Sequence, residues 1–337
     1  MYQRQPDDLG HEMVAEVRRK LKVDEEWSHS DADGFTWWPK DYAQRIWTEP
    51  GLFQHANITY RLHAETDVVR ERGEHGPTEA ELIREMSEGS LSALIFEPED
   101  RTFRLHCSVY AADDNREWLC SVFDAAAALQ VVEAQAMMEA SKEFNTVPAT
   151  SGHPQMGIRS NSSELIAHTL EFFKPAGDRE SRWVNSPEWQ EANWALERES
   201  SSFETDHKTW ARAGFPFQAI PNSQQVLSVL TEAEDPMLGH GLTLNLQLPL
   251  KLNDVNIARM ALELNQLERE NWMRCHLVGG WCNVEGKLTF RIFVPNVICK
   301  EGQLRGFTVN QSTRAIWVDE VFLRKRQEAE AARLNNG

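Results

Sequence analysis

The chain has 337 residues, a formal net charge of −17, 41% hydrophobic residues and twelve tryptophans. That length accommodates two domains of ordinary size, each with its own core, and the apolar fraction excludes a disordered chain. The acidity excludes nucleic acid as a partner, because phosphate binding needs a concentrated basic face and the one dense basic run is Arg324-Lys325-Arg326.

An acidic surface suits a basic polypeptide partner instead. The five cysteines are odd in number and form no C-x-x-C pair, so reduced thiols are expected, with neither a disulfide framework nor a zinc knuckle. The start "MYQRQPDDLGHEM" lacks the features of a signal peptide, and no stretch approaches about 18 uninterrupted apolar residues. A cytoplasmic protein with no membrane partner is expected.

Taken in chain order, residues 8–22 place Leu9, Met13, Val14, Val17 and Leu21 on one helical face. Asp33-Gly34 predicts a hairpin turn between short aromatic-rich strands. Residues 57–69 alternate with period two at Ile58, Tyr60, Leu62 and Ala64, which predicts a strand. Thr78 and Glu81, at capping-box spacing, open a short helix carrying Leu82, Ile83 and Met86. Residues 91–97 and 102–111 form a hairpin across "EPEDR", and Asp114 and Glu117 open a long Ala-rich helix.

Residues 146–162 concentrate Pro, Gly, Ser and Asn without periodicity and predict a linker. Beyond it, Leu165, Ile166, Leu170 and Phe173 stripe a helix; residues 189–219 predict two strands with Trp194, Phe203, Trp210 and Phe215 in the core. "GLTLNLQLPL" reads as a strand, Asn253 caps a helix to about Glu270, and a hairpin turns at Glu285-Gly286. A last helix carries Leu304, Phe307, Ile316, Trp317, Val321 and Phe322, with "VNQS" as a candidate break.

Two segments echo each other: "EDRTFRLHCSVYA" at 99–111 and "EGKLTFRIFVPNV" at 285–297, each followed by a helix at nearly the same distance. The reading is an α+β chain of two tandem α-β-β-β-α-β-β-α units, each an antiparallel sheet packed with helices. Residues 1–145 form the first domain, 146–162 the linker, 163–326 the second domain and 327–337 a charged tail. Phe103 and Phe290 are matched core positions, with Arg104 and Arg291 on the opposite face.

This order resembles the type III secretion chaperone-like fold, including the bacterial YbjN-like group. The second copy carries the resemblance: "ALELNQLERENWMRCHLVGGWCNVEGKLTFRIFVPN" is similar to that group's helix with Leu-Asn near its end (Leu264, Asn265), strand, tight turn and strand. The first copy lacks Leu-Asn and adds a charged loop, "RERGEHG". The resemblance implies a covalent pseudo-dimer whose surfaces bind extended segments of a protein client or an adaptor.

Sequence signatures of catalysis are scarce: no phosphate loop, no G-x-G-x-x-G after a strand, no G-x-S-x-G and no H-E-x-x-H. His29 with Asp31 and Asp33 reads as a solvated hairpin tip before a cation site. His63 and His106 lie on strands that pairing could bring together, as structural histidines or as part of a His/Asp/Cys set with Cys107. Cys107 is more simply a small buried hydrophobe. "GHG" at 239–241 needs no ligand to explain it.

Adjacent Trp37 and Trp38 on a strand would face opposite sides. With Trp47, Trp194 and Trp210 they are the candidate protein-binding residues, against the alternative of a sheet buried on both faces. The expected function is non-enzymatic: a chaperone-like or adaptor protein, without cofactor or metal, that docks a protein client on its sheet and helix surfaces. The alternatives are a hydrolase-like enzyme with an unrecognised site and a structural subunit of a larger assembly.

Overall fold

The computed structural model describes residues 8–54, 57–71, 91–140, 146–173, 181–184, 186–235, 238–270 and 275–335. The chain is α+β, with two antiparallel sheets of eight and six strands. Helix α1 (Asp8–Lys20) buries the predicted stripe of Leu9, Met13, Val14 and Val17. Strands β1 (Ser28–Ser30), β2 (Gly34–Trp37), β3 (Gln44–Thr48), β4 (Leu52–Gln54) and β5 (Asn57–Glu71) follow. The predicted helix at Thr78 lies outside the described residues. Then come β6 (Ala93–Glu97), β7 (Thr102–Ala111) and the Ala-rich helix α2 (Arg116–Ala140).

The stretch read as a linker is laid on the first sheet. Residues Thr146–Pro148 form β8 against β5, Ser151 donates its backbone N–H to Asp41, and Arg159 is buried, donating to the Trp38 carbonyl at 2.8 Å. Most of residues 150–162 are exposed, and Ala149, His153 and Arg159 are the buried anchors. Helix α3 (Glu164–Phe173) continues this course and packs on α2, so it belongs with the first sheet and not with the second unit.

The second unit opens with α4 (Pro187–Glu199), where two strands were expected in part. Ser186 caps this helix by accepting from the Trp189 N–H, proline occupies its first turn, and Trp189, Ala192 and Leu196 form its buried stripe. Strands β9 (Ser202–Thr205), β10 (Trp210–Pro216), β11 (Gln224–Asp235) and β12 (Gly239–Gln247) come next. Helix α5 (Asp254–Glu270) starts at Asn253, whose Oδ1 accepts from the Asn256 N–H at 2.9 Å. Strands β13 (Gly280–Val284) and β14 (Lys287–Pro295) turn at Glu285 and Gly286, both at positive φ. Helix α6 (Gln303–Asn335) then runs without a break at "VNQS".

Each unit therefore carries more strands before its midpoint than the expected three. The additional strands are β3 and β4 in the first unit, five and three residues long, and β11 in the second, whose twelve residues alternate in burial but were not among the expected strands. The main path of the first sheet runs β6-β7-β5-β3-β2-β1, with β4 and β8 also pairing β5, and the second sheet runs β13-β14-β12-β11-β10-β9.

Matched side chains accompany the matched order. Phe96 faces Phe103 across β6 and β7, and Trp281 faces Phe290 across β13 and β14, all in the core or against it. Gln44 on β3 donates to the Ala127 carbonyl of α2, and Gln225 on β11 donates to the Ala315 carbonyl of α6, both glutamines being fully buried. Each final helix is thus tied to its sheet at the same station.

Candidate functional site

Strands β5 and β7 are buried on both faces. One face, with Leu62, Ala64, Leu105, Cys107 and Val109, packs under α2. The other presents Arg61, His63 and Glu65 beside Arg104, His106 and Ser108, as strand alternation requires. Pairing brings the two histidines together, with ring centroids 5.4 Å apart, and Trp47 stacks on His63 at 4.6 Å. Glu49 meets His63 at 2.9 Å, and Glu65 meets His106 at 3.1 Å and Arg269 at 3.0 Å.

Burial holds His63 down to about 4, although its hydrogen bond to Glu49 pulls the other way. His106 is lowered for the same reason, against its bond to Glu65. Burial would raise the Glu65 carboxyl, yet His106, Arg269 and Arg104 bring it to about 2. The layer is therefore two neutral imidazoles beside an ionised carboxylate clamped by arginines.

This polar face is where the two units meet. Arg61 donates to the backbone carbonyls of Glu268 and Arg269 at 3.2 and 2.7 Å, Ser108 and Leu277 exchange backbone hydrogen bonds, and the Tyr110 N–H donates to His276 Nδ1. Asn265 lies at the centre. Its side chain accepts from the Trp281 N–H at 2.8 Å and donates to the Trp281 carbonyl at 3.2 Å and the Leu94 carbonyl at 2.9 Å. It satisfies backbone groups of edge strands from both sheets. Gly280 permits the approach, since a Cβ there would lie 2.7 Å from the Ala93 Cα.

Beneath the contact, Arg314 of α6 is fully buried and grips Glu268 of α5 through Nε at 2.8 Å and Nη2 at 2.8 Å. It also donates to the His276 carbonyl at 2.7 Å and sits 3.5 Å over the Phe290 ring. Trp281 Nε1 donates to the same carboxylate. The node is satisfied all round, as a buried ion pair must be.

The remaining candidates for chemistry are structural. Cys107 points to the α2 side, away from His63 and His106, and burial raises its thiol far above the ordinary range. Asp31 accepts from the Asp33 and Gly34 amides and so organises the hairpin turn beside exposed His29. Gly241 lies where a Cβ would be 2.4 Å from the Val294 carbonyl oxygen, which accounts for "GHG". Among the described residues no group of three His, Cys, Asp or Glu side chains could hold a metal.

The five tryptophans do not share a surface. Trp37 is wholly buried and donates to Gln44, and Trp38 is buried against His153, so neither is open to a partner. Trp47 is half-buried in the polar layer. Trp194 is 61% exposed on α4, under the Arg198 guanidinium, and Trp210 is partly exposed opposite Leu230.

A groove of about 440 Å³ lies between α4, β10 and α6; Leu196, Phe215, Pro216, Val309 and Ile316 are among its apolar lining residues, and Arg198, which covers Trp194, and Asp319 are among its polar ones. Val309 is 53% and Ile316 63% exposed. Ile316 and Trp317, adjacent in one helix, point about 100° apart. Trp317 is buried, so Ile316 and Val309, seven residues apart, mark a second apolar stripe. No protein-family profile, curated protein or solved structure matches this chain.

Proposed function

We propose that this protein is a non-enzymatic protein-binding module, chaperone-like or adaptor in character, built as a covalent pseudo-dimer of two tandem units. The repeated strand order and the paired Gln44 and Gln225 tethers support the tandem reading. His63, His106 and His276 lie in the contact between the units and Cys107 in the core, which favours binding over catalysis.

The observation that carries the reading is the exposed apolar stripe of Val309 and Ile316, walling a groove with Leu196 and Phe215. Large apolar side chains grouped in a concavity are what an interface anchors on. The acidic exterior favours a basic protein client and keeps the complex soluble in a cytoplasmic setting.

A photo-cross-linking residue placed at Ile316 in the native cell tests this. The expected product is one abundant cross-linked protein that, once purified, forms a stoichiometric complex with the wild-type chain and not with Ile316→Glu. A partner that binds both chains equally, or no cross-linked protein at all, contradicts the reading.

A further inference from the structure

The groove beside α6 has a counterpart in the first unit, and the two differ in one respect. Counting from the tethered carbonyls of Ala127 and Ala315, the residues Ser121, Asp124, Ala125 and Ala128 of α2 correspond to Val309, Ser312, Thr313 and Ile316 of α6. All eight line a groove, the first four beside the C-terminal end of α1 and the second four beside that of α4.

In the first unit a helix of the same chain sits on this face. Helix α3 packs on α2, and its Leu165, His168, Thr169 and Phe172, at helical spacing, wall one side of this groove, which keeps an open volume of about 520 Å³. Ala125 is buried there, and Ser121, Asp124 and Ala128 are partly covered. Among the described residues no helix lies in the corresponding position on α6, where Val309, Thr313 and Ile316 are exposed.

The outer positions of α2 are small or polar, whereas two of their counterparts on α6 are Val and Ile. Enlarged apolar side chains on the uncovered face are costly in water unless something covers them. The charges say what kind of cover. On α4 and on α6 as far as residue 320, the stretch beside the groove, exposed Glu191, Glu197, Glu199 and Glu320 outnumber exposed Arg198 and Arg305, and exposed Arg324 and Arg326 lie about a turn beyond. A second copy would bring the same acidic excess to a self-complementary contact, and a basic segment would not.

Resting on the protein-binding reading above, we propose that the groove between α4, β10 and α6 receives an amphipathic helix of a partner protein, basic on its outer side. It seats on α6 as α3 seats on α2. Apolar anchors spaced as Leu165, Thr169 and Phe172 enter between Leu196, Val309 and Ile316, and basic flanks meet the glutamates of α4.

The test uses the full chain and a helix-stabilised, fluorescein-labelled peptide of residues 162–173 carrying Glu164→Lys and Glu171→Lys, read by anisotropy. Saturable binding is expected, weakened roughly tenfold or more by Ile316→Glu and unchanged by Phe172→Glu, which alters the first-unit groove instead. The unmodified peptide, with its glutamates, should bind more weakly, the gap closing at high salt. Thermal melts of both variants should match the wild type, since both positions are exposed.

Equal binding to Ile316→Glu overturns the site. No peptide binding while a purified partner still cross-links at Ile316 overturns the helical occupant and leaves the protein-binding reading standing. Concentration-dependent dimerisation that Ile316→Glu abolishes assigns the face to a second copy, and this too overturns the proposal.

Discussion

The first unit surrounds its sheet more completely than the second does. Six of the first sheet's eight strands follow the order of the second sheet's six, and both units tie the final helix to the sheet through a buried glutamine. In the first unit, however, Gln44 belongs to a network with Trp37, Thr66 and Gln130, and α3 lies over α2. In the second unit Gln225 makes its bond to Ala315 without such a network, its Oε1 has no partner among the described residues, and the outer face of α6 faces solvent. The difference teaches that strand order fixes the scaffold, while additions on the helix layer decide which face is left for a partner.

The largest effect should come from the node under the contact between the units. Glu268→Ala leaves the Arg314 guanidinium buried without its counter-charge and removes the acceptor of Trp281 Nε1. A loss of about 3–5 kcal/mol in urea unfolding is expected. Gln44→Leu should follow at about 3 kcal/mol, because Trp37 Nε1 and the Ala127 carbonyl lose their partner in the core. The matched Gln225→Leu removes a single bond and should cost about 1 kcal/mol. Equal losses in the two glutamine variants would show that the networks do not differ as described.

Acid should act on the contact itself. His63 and His276 are both held near 4, each by burial first, with Arg314 adding to the effect at His276. Their folded values lie below the ordinary histidine value, so the unfolded chain binds more protons between about pH 6.5 and 4. Stability is therefore full above that window and falls as pH drops through it, by about 2 kcal/mol for each histidine at pH 5. Glu65, held near 2, adds a further loss below about pH 4.5. Unfolding curves at pH 7.5 and 5 check this, and His63→Gln should reduce the slope.

Much of the scaffold is legible in the sequence because its signals are local. The stripe of α1, the alternation of β5, the Asn253 cap and the Glu285-Gly286 turn each depend on neighbours a few residues apart. Helix α4 escapes because its aromatic residues read as strand, although Ser186-Pro187 is a helix start. The residues of 146–162 hold to the first unit through the three-residue strand β8, the Ala149 and Ser151 amides and single side chains such as Arg159, none of which periodicity announces.

The site is less legible. Arg314 and Glu268 are 46 residues apart, and nothing near either marks the other. Two of the five candidate tryptophans are core, while the exposed stripe rests on Val309 and Ile316. Its sequence signal is a helix apolar on two sides, visible once Ile316 and Trp317 are assigned to different faces.

The smallest expected effect is on folding at that stripe: Ile316→Glu should change stability by no more than about 0.5 kcal/mol. The central claim, that one final helix is covered and the other left open, is tested most directly by single cysteines at matched positions. In separate chains carrying Ala128→Cys and Ile316→Cys, maleimide labelling is followed by peptide mapping, which separates the new thiols from the native ones. Rapid labelling at 316, slow labelling at 128, and protection of 316 alone when a bound partner is present are the predicted results. Equal labelling rates at the two positions would contradict the account.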